Sequence, residues 1–410
     1  MGFPLKNKQN KKRQSTIAIF NMLDTCWYKN YNDFVKEKNM KHKSLIGCLT
    51  SALLFAITGC NFSSNTNPTT STSSNDGTFK YVGNSVYPID TTISGDLVIP
   101  ESFNGERITK IPRLAFKNCT KINSITIPDS IETIELGAFS GCTSLKSVTL
   151  PFIGQSRSDT SRYSGVLGYI FGDWKYEEAT KANGFFIPNT LAKVTVTDAS
   201  ILAEQAFYQC SMLDDILLNE EIIAIGAHAF DGCSSISTIN LPNITKVPKY
   251  CFTGCTSLES VNVSEKITEV GEYAFSGCIN LIRINNSQDG YYSLPKTINE
   301  IGKNAFMQCL KIDQIELPFI GKNRKESTAL GQFGYVFGDI SYEGSQKVEA
   351  LAGHYYIPKK IRVVYITDAE LVGQWAFHGC SMIEYLFVNK EAQNNVHGSA
   401  FLGCVEPIWF

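Results

Sequence analysis

Residues 138–151, AFSGCTSLKSVTLP, hold one complete unit of the chain's repeat. A small residue and an aromatic, Ala138 and Phe139, are followed by Cys142, then by Leu145, Val148 and Leu150, and Pro151 closes the run. Val148, Thr149 and Leu150 alternate apolar and polar, the period of a strand with one buried face. Proline has no N–H to give a neighbouring strand, so the strand ends at Pro151. The same run returns as Ile122, Ile125, Ile127 and Pro128, and as Ile236, Ile239, Leu241 and Pro242.

Outward from this unit, the aromatic and the thiol recur as a ladder. Phe116, Phe139, Phe207, Phe230, Phe252, Phe275, Phe306, Phe377 and Phe401 are each followed three positions later by Cys119, Cys142, Cys210, Cys233, Cys255, Cys278, Cys309, Cys380 and Cys404. Uninterrupted neighbours lie 22 to 24 residues apart, a period that belongs to stacked coils rather than to a closed globule. One coil cannot bury its apolar face alone. Stacking sets equivalent strands side by side in a parallel sheet and brings each phenylalanine and cysteine against its counterpart one coil away. The expected architecture is a β-rich solenoid of ~23-residue coils.

Two longer gaps, 68 residues from Phe139 to Phe207 and 71 from Phe306 to Phe377, are copies of one another. LPFIG occurs at 150–154 and 317–321, and GYIFGD at 168–173 answers GYVFGD at 334–339. Phe185 to Pro188 parallels Tyr355 to Pro358, and Val194 to Ala199 parallels Val364 to Ala369. The offsets, 166 to 170 residues, mark a duplicated block that includes its insert. Each gap is close to three basic periods, so the insert is expected to continue the stack in modified coils. Its aromatics, Tyr169, Phe171, Trp174 and Tyr176 with Tyr335, Phe337 and Tyr342, are expected to pack in the core.

The N-terminus speaks to location. Met40, Lys41, His42 and Lys43 make a short basic start, Leu45 to Ile57 is largely apolar, and Ile57-Thr58-Gly59-Cys60 ends it, which is the layout of a secretory signal. The apolar stretch is too short to span a membrane. The tetrapeptide resembles the lipobox of bacterial lipoproteins, and that resemblance implies that Cys60 is the lipidated first residue of the mature protein. Asn61 to Asp76 is almost entirely Ser, Thr and Asn, a composition suited to a flexible tether. The lysine-rich lead at 1–39 fits a mis-assigned start, with Met40 as initiator. The expected organisation is therefore a doubtful lead at 1–39, a signal at 40–59, Cys60 with a disordered linker at 60–79, and the repeat region at 80–410.

Composition sets limits on partners. The first sixty residues hold ten basic and three acidic side chains of the chain's 37 and 39, which leaves 27 and 36 and a formal charge of −9. A surface of that sign without a basic stripe repels phosphate backbones, so no nucleic-acid partner is expected. Thirteen cysteines in an exported chain raise the question of disulfides, yet nine occupy one repeat position. A buried ladder of free thiols is expected there, because cysteine packs as a small hydrophobe. Cys251 stands where the repeat usually has alanine, and with no second Cys or His pair at matching spacing a zinc role is not indicated.

The Phe-x-x-Cys-x-x-Leu units resemble the BspA-type leucine-rich repeats of bacterial surface lipoproteins, across roughly residues 80–410. The resemblance implies a right-handed solenoid whose parallel strands line one side, a cell-surface role in adhesion or protein interaction, and no catalytic residues or cofactor to carry over. The chain departs from ribonuclease-inhibitor-like repeats, because proline follows the strand and nothing between strands is long enough for an amphipathic helix.

If the strands line one side, their outward residues form the candidate binding surface for a macromolecular ligand, a protein by the resemblance: Thr126, Thr149, Thr238, Asn240, Asn262, Asn285, Tyr385 and Phe387. Small polar residues suit a solvated sheet with no ligand as well as one that meets an extended partner. Tyr385 and Phe387 stand out as exposed aromatics, where hot spots are expected. Catalysis is not indicated: His228, His354, His378 and His397 are isolated, with no HExxH, GxSxG or phosphate-loop pattern. The alternative reading is a structural spacer that holds something away from the membrane.

Overall fold

Each repeat closes as a short strand, a tight corner and a long strand; the computed structural model describes residues 74–285 and 289–410. In the Phe252 coil the short strand is Lys246–Val247, the corner carries Phe252 and Cys255, and the long strand is Ser260–Val263. Two residues with left-handed backbone flank the phenylalanine, Tyr250 (φ 57°) and Gly254 (φ 69°), and reverse the chain twice within five positions. Leu114 and Asn118, Gln205 and Gln209, and Asn304 and Gln308 do the same in other coils. That geometry explains the glycine between Phe and Cys in most units, since glycine takes positive φ without strain.

The corner also explains the cysteine. Phe252 N–H donates to Ala274 O of the next coil (2.8 Å), and Cys255 N–H donates back to Phe252 O (3.1 Å). The thiol of Cys255 donates to Phe230 O of the preceding coil at 3.1 Å, and Cys142, Cys233, Cys278 and Cys309 do likewise at 3.1 to 3.3 Å. Cys210 and Cys380 come directly after the inserts and turn instead to Tyr208 O and His378 O at 3.9 Å. The ten described cysteines are free thiols, all buried except half-buried Cys404. Burial holds them protonated, pushing Cys119 up to about 11 and Cys210 up to about 12.

Phe207, Phe230, Phe252, Phe275 and Phe306 form one column, with ring centroids 5.3 to 5.6 Å apart and planes within 11°. Each is fully buried, a contribution of ~1.5–3 kcal/mol per ring. The long strands pair in parallel and in register, Val148 opposite Ile125 and Val194, for example. They make a five-stranded sheet from Ser94–Val98 to Asp215–Leu217 and an eight-stranded sheet from Thr238–Leu241 to Ile408–Trp409. Between Asp215–Leu217 and Thr238–Leu241 the ladder is interrupted. There the coils are joined by the corner bonds, by Ser235 Oγ donating to Ser211 O and by Asn243 Nδ2 donating to Glu220 O.

The inserts continue the stack, in two steps rather than the three their length suggests. Ser147–Leu150 pairs directly with Lys193–Val196, and that strand with Asp215–Leu217, so one enlarged coil occupies the gap. The surplus residues go into a loop and into the antiparallel hairpin Ala179–Ala182 with Phe185–Pro188. A 3-10 turn, Leu167–Ile170, takes the corner: Phe139 N–H donates to Ile170 O (2.9 Å) and Leu167 N–H to Ala206 O (2.8 Å). The second copy repeats this with Phe333–Val336 and the hairpin Ser345–Ala350 with Gly353–Pro358.

An arginine pins each insert to the coil before it. Arg157 donates to Ile131 O (2.8 Å) and Asp129 O (2.5 Å), pairs with Asp198 (2.7 Å) and lies over the Phe152 ring. Arg324 reproduces the arrangement with Ile298 O (2.6 Å), Lys296 O, Asp368 (2.6 Å) and Phe319. Of the insert aromatics, Tyr169, Phe171, Tyr335 and Phe337 are buried as expected, Tyr176 and Tyr342 are half-buried, and Trp174 is 40% exposed under the Arg113 guanidinium. Trp174 fills the space beside Gly137, where an added Cβ would meet it. In the second copy Asn304 replaces Gly137 and fills that space itself, and Ile340, at the position of Trp174, is 56% exposed.

One boundary differs from the sequence reading, and one step of the ladder is irregular. The folded unit reaches back to Ser74, inside the segment taken as linker to residue 79. Ser74–Asn75 pairs with Phe79–Val82, Asp76 accepts from Phe79 N–H (2.6 Å) and Tyr81 O–H (2.6 Å), and Phe79 packs on Phe116. The 31-residue step from Phe275 to Phe306 holds an extra long strand, Tyr291–Ser293, between Arg283–Ile284 and Gln314–Leu317. Tyr292 fills the added space completely buried and donates to Leu281 O (2.8 Å).

Candidate binding surface

Alternation along each long strand sends Val, Ile and Leu inward and sets the residues between them in two outward columns. In the five-stranded sheet one column runs Val98, Thr126, Thr149, Thr195 and Leu217, each directly opposite the next. In the eight-stranded sheet the columns begin with Thr238 and Asn240, both exposed, and Asn262 follows, also exposed. Thr126 is exposed and Thr149 half-buried. These residues stand on the side the sequence assigned to them.

Asn285 does not. The strand Arg283–Ile284 ends before it, Asn285 turns to φ 51°, and its Oδ1 accepts from Val263 N–H at 2.8 Å. It replaces the ladder partner Val263 would otherwise find and leaves the outward column. Phe387 is half-buried rather than exposed, because Tyr365 stacks on it at 4.7 Å and 7° and Phe410 meets it edge-on at 6.4 Å. Tyr385 is 54% exposed, as expected.

Sequence reading missed Tyr291 and Tyr365, which join Tyr385 and Phe387 to make the second half of this side aromatic. Tyr291 lies opposite Gln314, which faces Val363 and then Tyr385; Glu316 faces Tyr365 and then Phe387. Tyr291 and Tyr365 centroids are 6.4 Å apart. Glu316 accepts from Tyr291 O–H (2.9 Å) and Ser293 Oγ–H (3.0 Å), fixing both side chains; burial and that bond raise the Tyr291 phenol well above its ordinary range. The signal for Tyr365 was present in the duplicated strand 364–369, whose alternation places Tyr365 outward. Tyr291 lies in the irregular step, where the period gives no register.

The surface thus has a largely polar half of Thr, Ser and Asn, with Val98 and Leu217 exposed among them, and an aromatic half of Tyr and Phe. The profile of the BspA type Leucine rich repeat region matches residues 101–160, 181–292 and 290–328, in six copies. The chain belongs to the BspA-type leucine-rich repeat family. Among solved structures, this BspA-type chain is similar to a T. pallidum Leucine Rich Repeat protein at 18% identity, covering 56% of this chain and 83% of that one, with a TM-score of 0.31. A leucine-rich repeat protein from Bacteroides ovatus matches at 17% identity over 83% of this chain and 98% of its own, TM-score 0.30. A leucine rich cell surface protein from Faecalibacterium prausnitzii matches at 17% identity over 82% and 94%, TM-score 0.29. No curated protein matches the chain. The family assignment rests on the repeat match, and Cys60 lies outside the described residues.

Proposed function

We propose that this BspA-type protein is exported, held at a membrane by lipid on Cys60, and displays its long-strand side outward as an adhesive surface for a protein of a host, a matrix or a neighbouring cell. The basic start, apolar run and Gly59-Cys60 junction support a signal at 40–59 after a lead at 1–39. The observation that carries recognition is the aromatic half of the long-strand side, where Glu316 fixes Tyr291, Tyr365 meets Tyr291 and stacks on Phe387, and Tyr385 stands exposed in the neighbouring column. Rigid aromatics supply large contact area at low conformational cost and are enriched in binding hot spots. The role is non-catalytic and needs no cofactor.

Exposure is tested by antibody labelling of intact cells, with and without external protease. Labelling that protease removes supports the reading; labelling seen only after lysis overturns it. Loss of cell or matrix adhesion on Tyr365→Asp with Tyr385→Asp, at unchanged surface display, places recognition on the aromatic half. Unchanged adhesion in that variant and in Thr238→Glu with Asn240→Glu favours a spacer without an external ligand.

A further inference from the structure

We propose that the short-strand side carries a second recognition site, a groove that takes an extended polypeptide segment of a partner protein. It lies on a different side from the surface above and does not rest on that reading. One proline opens it. Four positions before the phenylalanine, Gly226, Gly271 and Gly302 donate to Leu202 O, Val247 O and Val270 O at 2.9, 2.8 and 2.7 Å. They approach the preceding coil so closely that an added Cβ would collide with the backbone of Glu204, Lys249 and Glu272. Pro248 holds that position in the Phe252 coil, with no N–H and more bulk. Ala224–Ile225 and Lys246–Val247 accordingly belong to separate sheets, and Ile225 O lacks the donor its counterparts have.

A cavity of about 730 Å³ opens here and reaches across the Phe275 and Phe306 coils to Leu330 and Tyr335 of the second insert. Its near end is apolar, with Ile223 (55% exposed), Ala227 and Pro248, and its far end presents Leu330. The charges between are mostly spent on one another: Lys246 pairs with Glu269 (2.8 Å), Glu300 with Lys322 (3.5 Å) and Lys303 with Asp339 (2.7 Å). Lys249 and Glu272, one coil apart, have no ion-pair partner among the described residues.

Four coil steps of ~4.8 Å make a floor about 19 Å long, which about six extended residues cover at ~3.3 Å each. Charge complementarity sets their order from the Ile223 end: apolar, acidic against Lys249, basic against Glu272, apolar against Leu330. Ile225 O offers an acceptor for a peptide N–H.

The test is selection of a random heptapeptide library on phage against the full chain, with the enriched peptide then labelled with fluorescein and titrated by anisotropy. The expected consensus is an acidic and a basic residue, adjacent or one apart, between two large apolar ones. Lys249→Glu or Glu272→Lys should each weaken binding at least tenfold, and the double exchange should bind the peptide with its two charges exchanged. Pro248→Gly, which restores the donor and the close approach, should also weaken binding at least tenfold while far-UV circular dichroism and protease resistance stay unchanged. Failure to enrich any sequence, or a peptide whose affinity ignores both charge reversals, overturns the proposal.

Discussion

At the scale of single residues, the fold is governed by what fits between one coil and the next. Asn304 and Gly137 solve one packing problem in two ways, the first with its own side chain and the second by admitting Trp174. The solution in the second copy leaves Asn304 Oδ1 buried with no partner among the described residues, a cost of ~1–3 kcal/mol for a desolvated acceptor. Asn304→Gly alone opens a hole but also removes the orphaned acceptor and the left-handed asparagine (φ 62°), so its net effect should be small. Combined with Ile340→Trp, which fills the hole, it should be more stable than the single changes sum to, with a coupling of ~1 kcal/mol or more between the two sites in a urea-unfolding cycle. Additive effects would show that the tryptophan does not reach the site. Sequence reading found the insert aromatics but not this exchange, because Gly137 and Asn304 look interchangeable in a list of turn residues.

At the scale of elements, the inserts show what periodicity reveals and what it hides. Duplication announced both of them, and the Val194 and Val364 strands were legible from alternation. Length alone suggested three coil steps where two are made, since a hairpin projecting from a coil consumes residues without adding a rung to the long-strand sheets. The arginine pins were likewise unread: Arg157 and Arg324 are cations in polar loops, the second between Lys322 and Lys325, and only their carbonyl partners in the preceding coil give them meaning. Arg324→Met keeps the stem over Phe319 and removes the guanidinium. It should cost ~2–4 kcal/mol, because two backbone acceptors and Asp368 lose a charged donor. Limited proteolysis should then cut first within residues 319–331. A stability loss below 0.5 kcal/mol would show that the pin holds nothing.

For the whole molecule, the Phe and Cys ladder was read from spacing and is what the core contains, whereas the irregular Tyr291–Ser293 strand and the interrupted ladder depend on single residues that no period encodes. The binding side was legible as a face but not in its chemistry, since Asn285 and Phe387 depart from it through local bonds and stacking. The buried thiols make a global prediction. Their ordinary value is 9.0, and burial raises Cys119 to about 11 and Cys309 to about 12. Folded-state values above unfolded ones mean the stabilisation is complete below pH 9 and is lost as pH rises toward the folded values. Each thiol contributes a slope of ~1.4 kcal/mol per pH unit in that window. The urea midpoint should be flat from pH 7 to 8.5 and fall steeply by pH 10, less steeply in a Cys255→Ala, Cys278→Ala variant. An equal slope in that variant would assign the loss to other groups.

The interrupted ladder between Asp215–Leu217 and Thr238–Leu241 has a mechanical consequence. A chain fixed at one end and pulled at the other loads its coils in series, and neighbouring strands peel apart bond by bond, so the junction with fewest ladder bonds gives way first. In optical tweezers the first rip should start at this seam, and Leu217→Cys with Asn240→Cys, one repeat apart and oxidised to a disulfide, should move it elsewhere and raise its force. The seam would then serve as a fuse, yielding under drag and leaving the flanking coils able to close again when the load is gone.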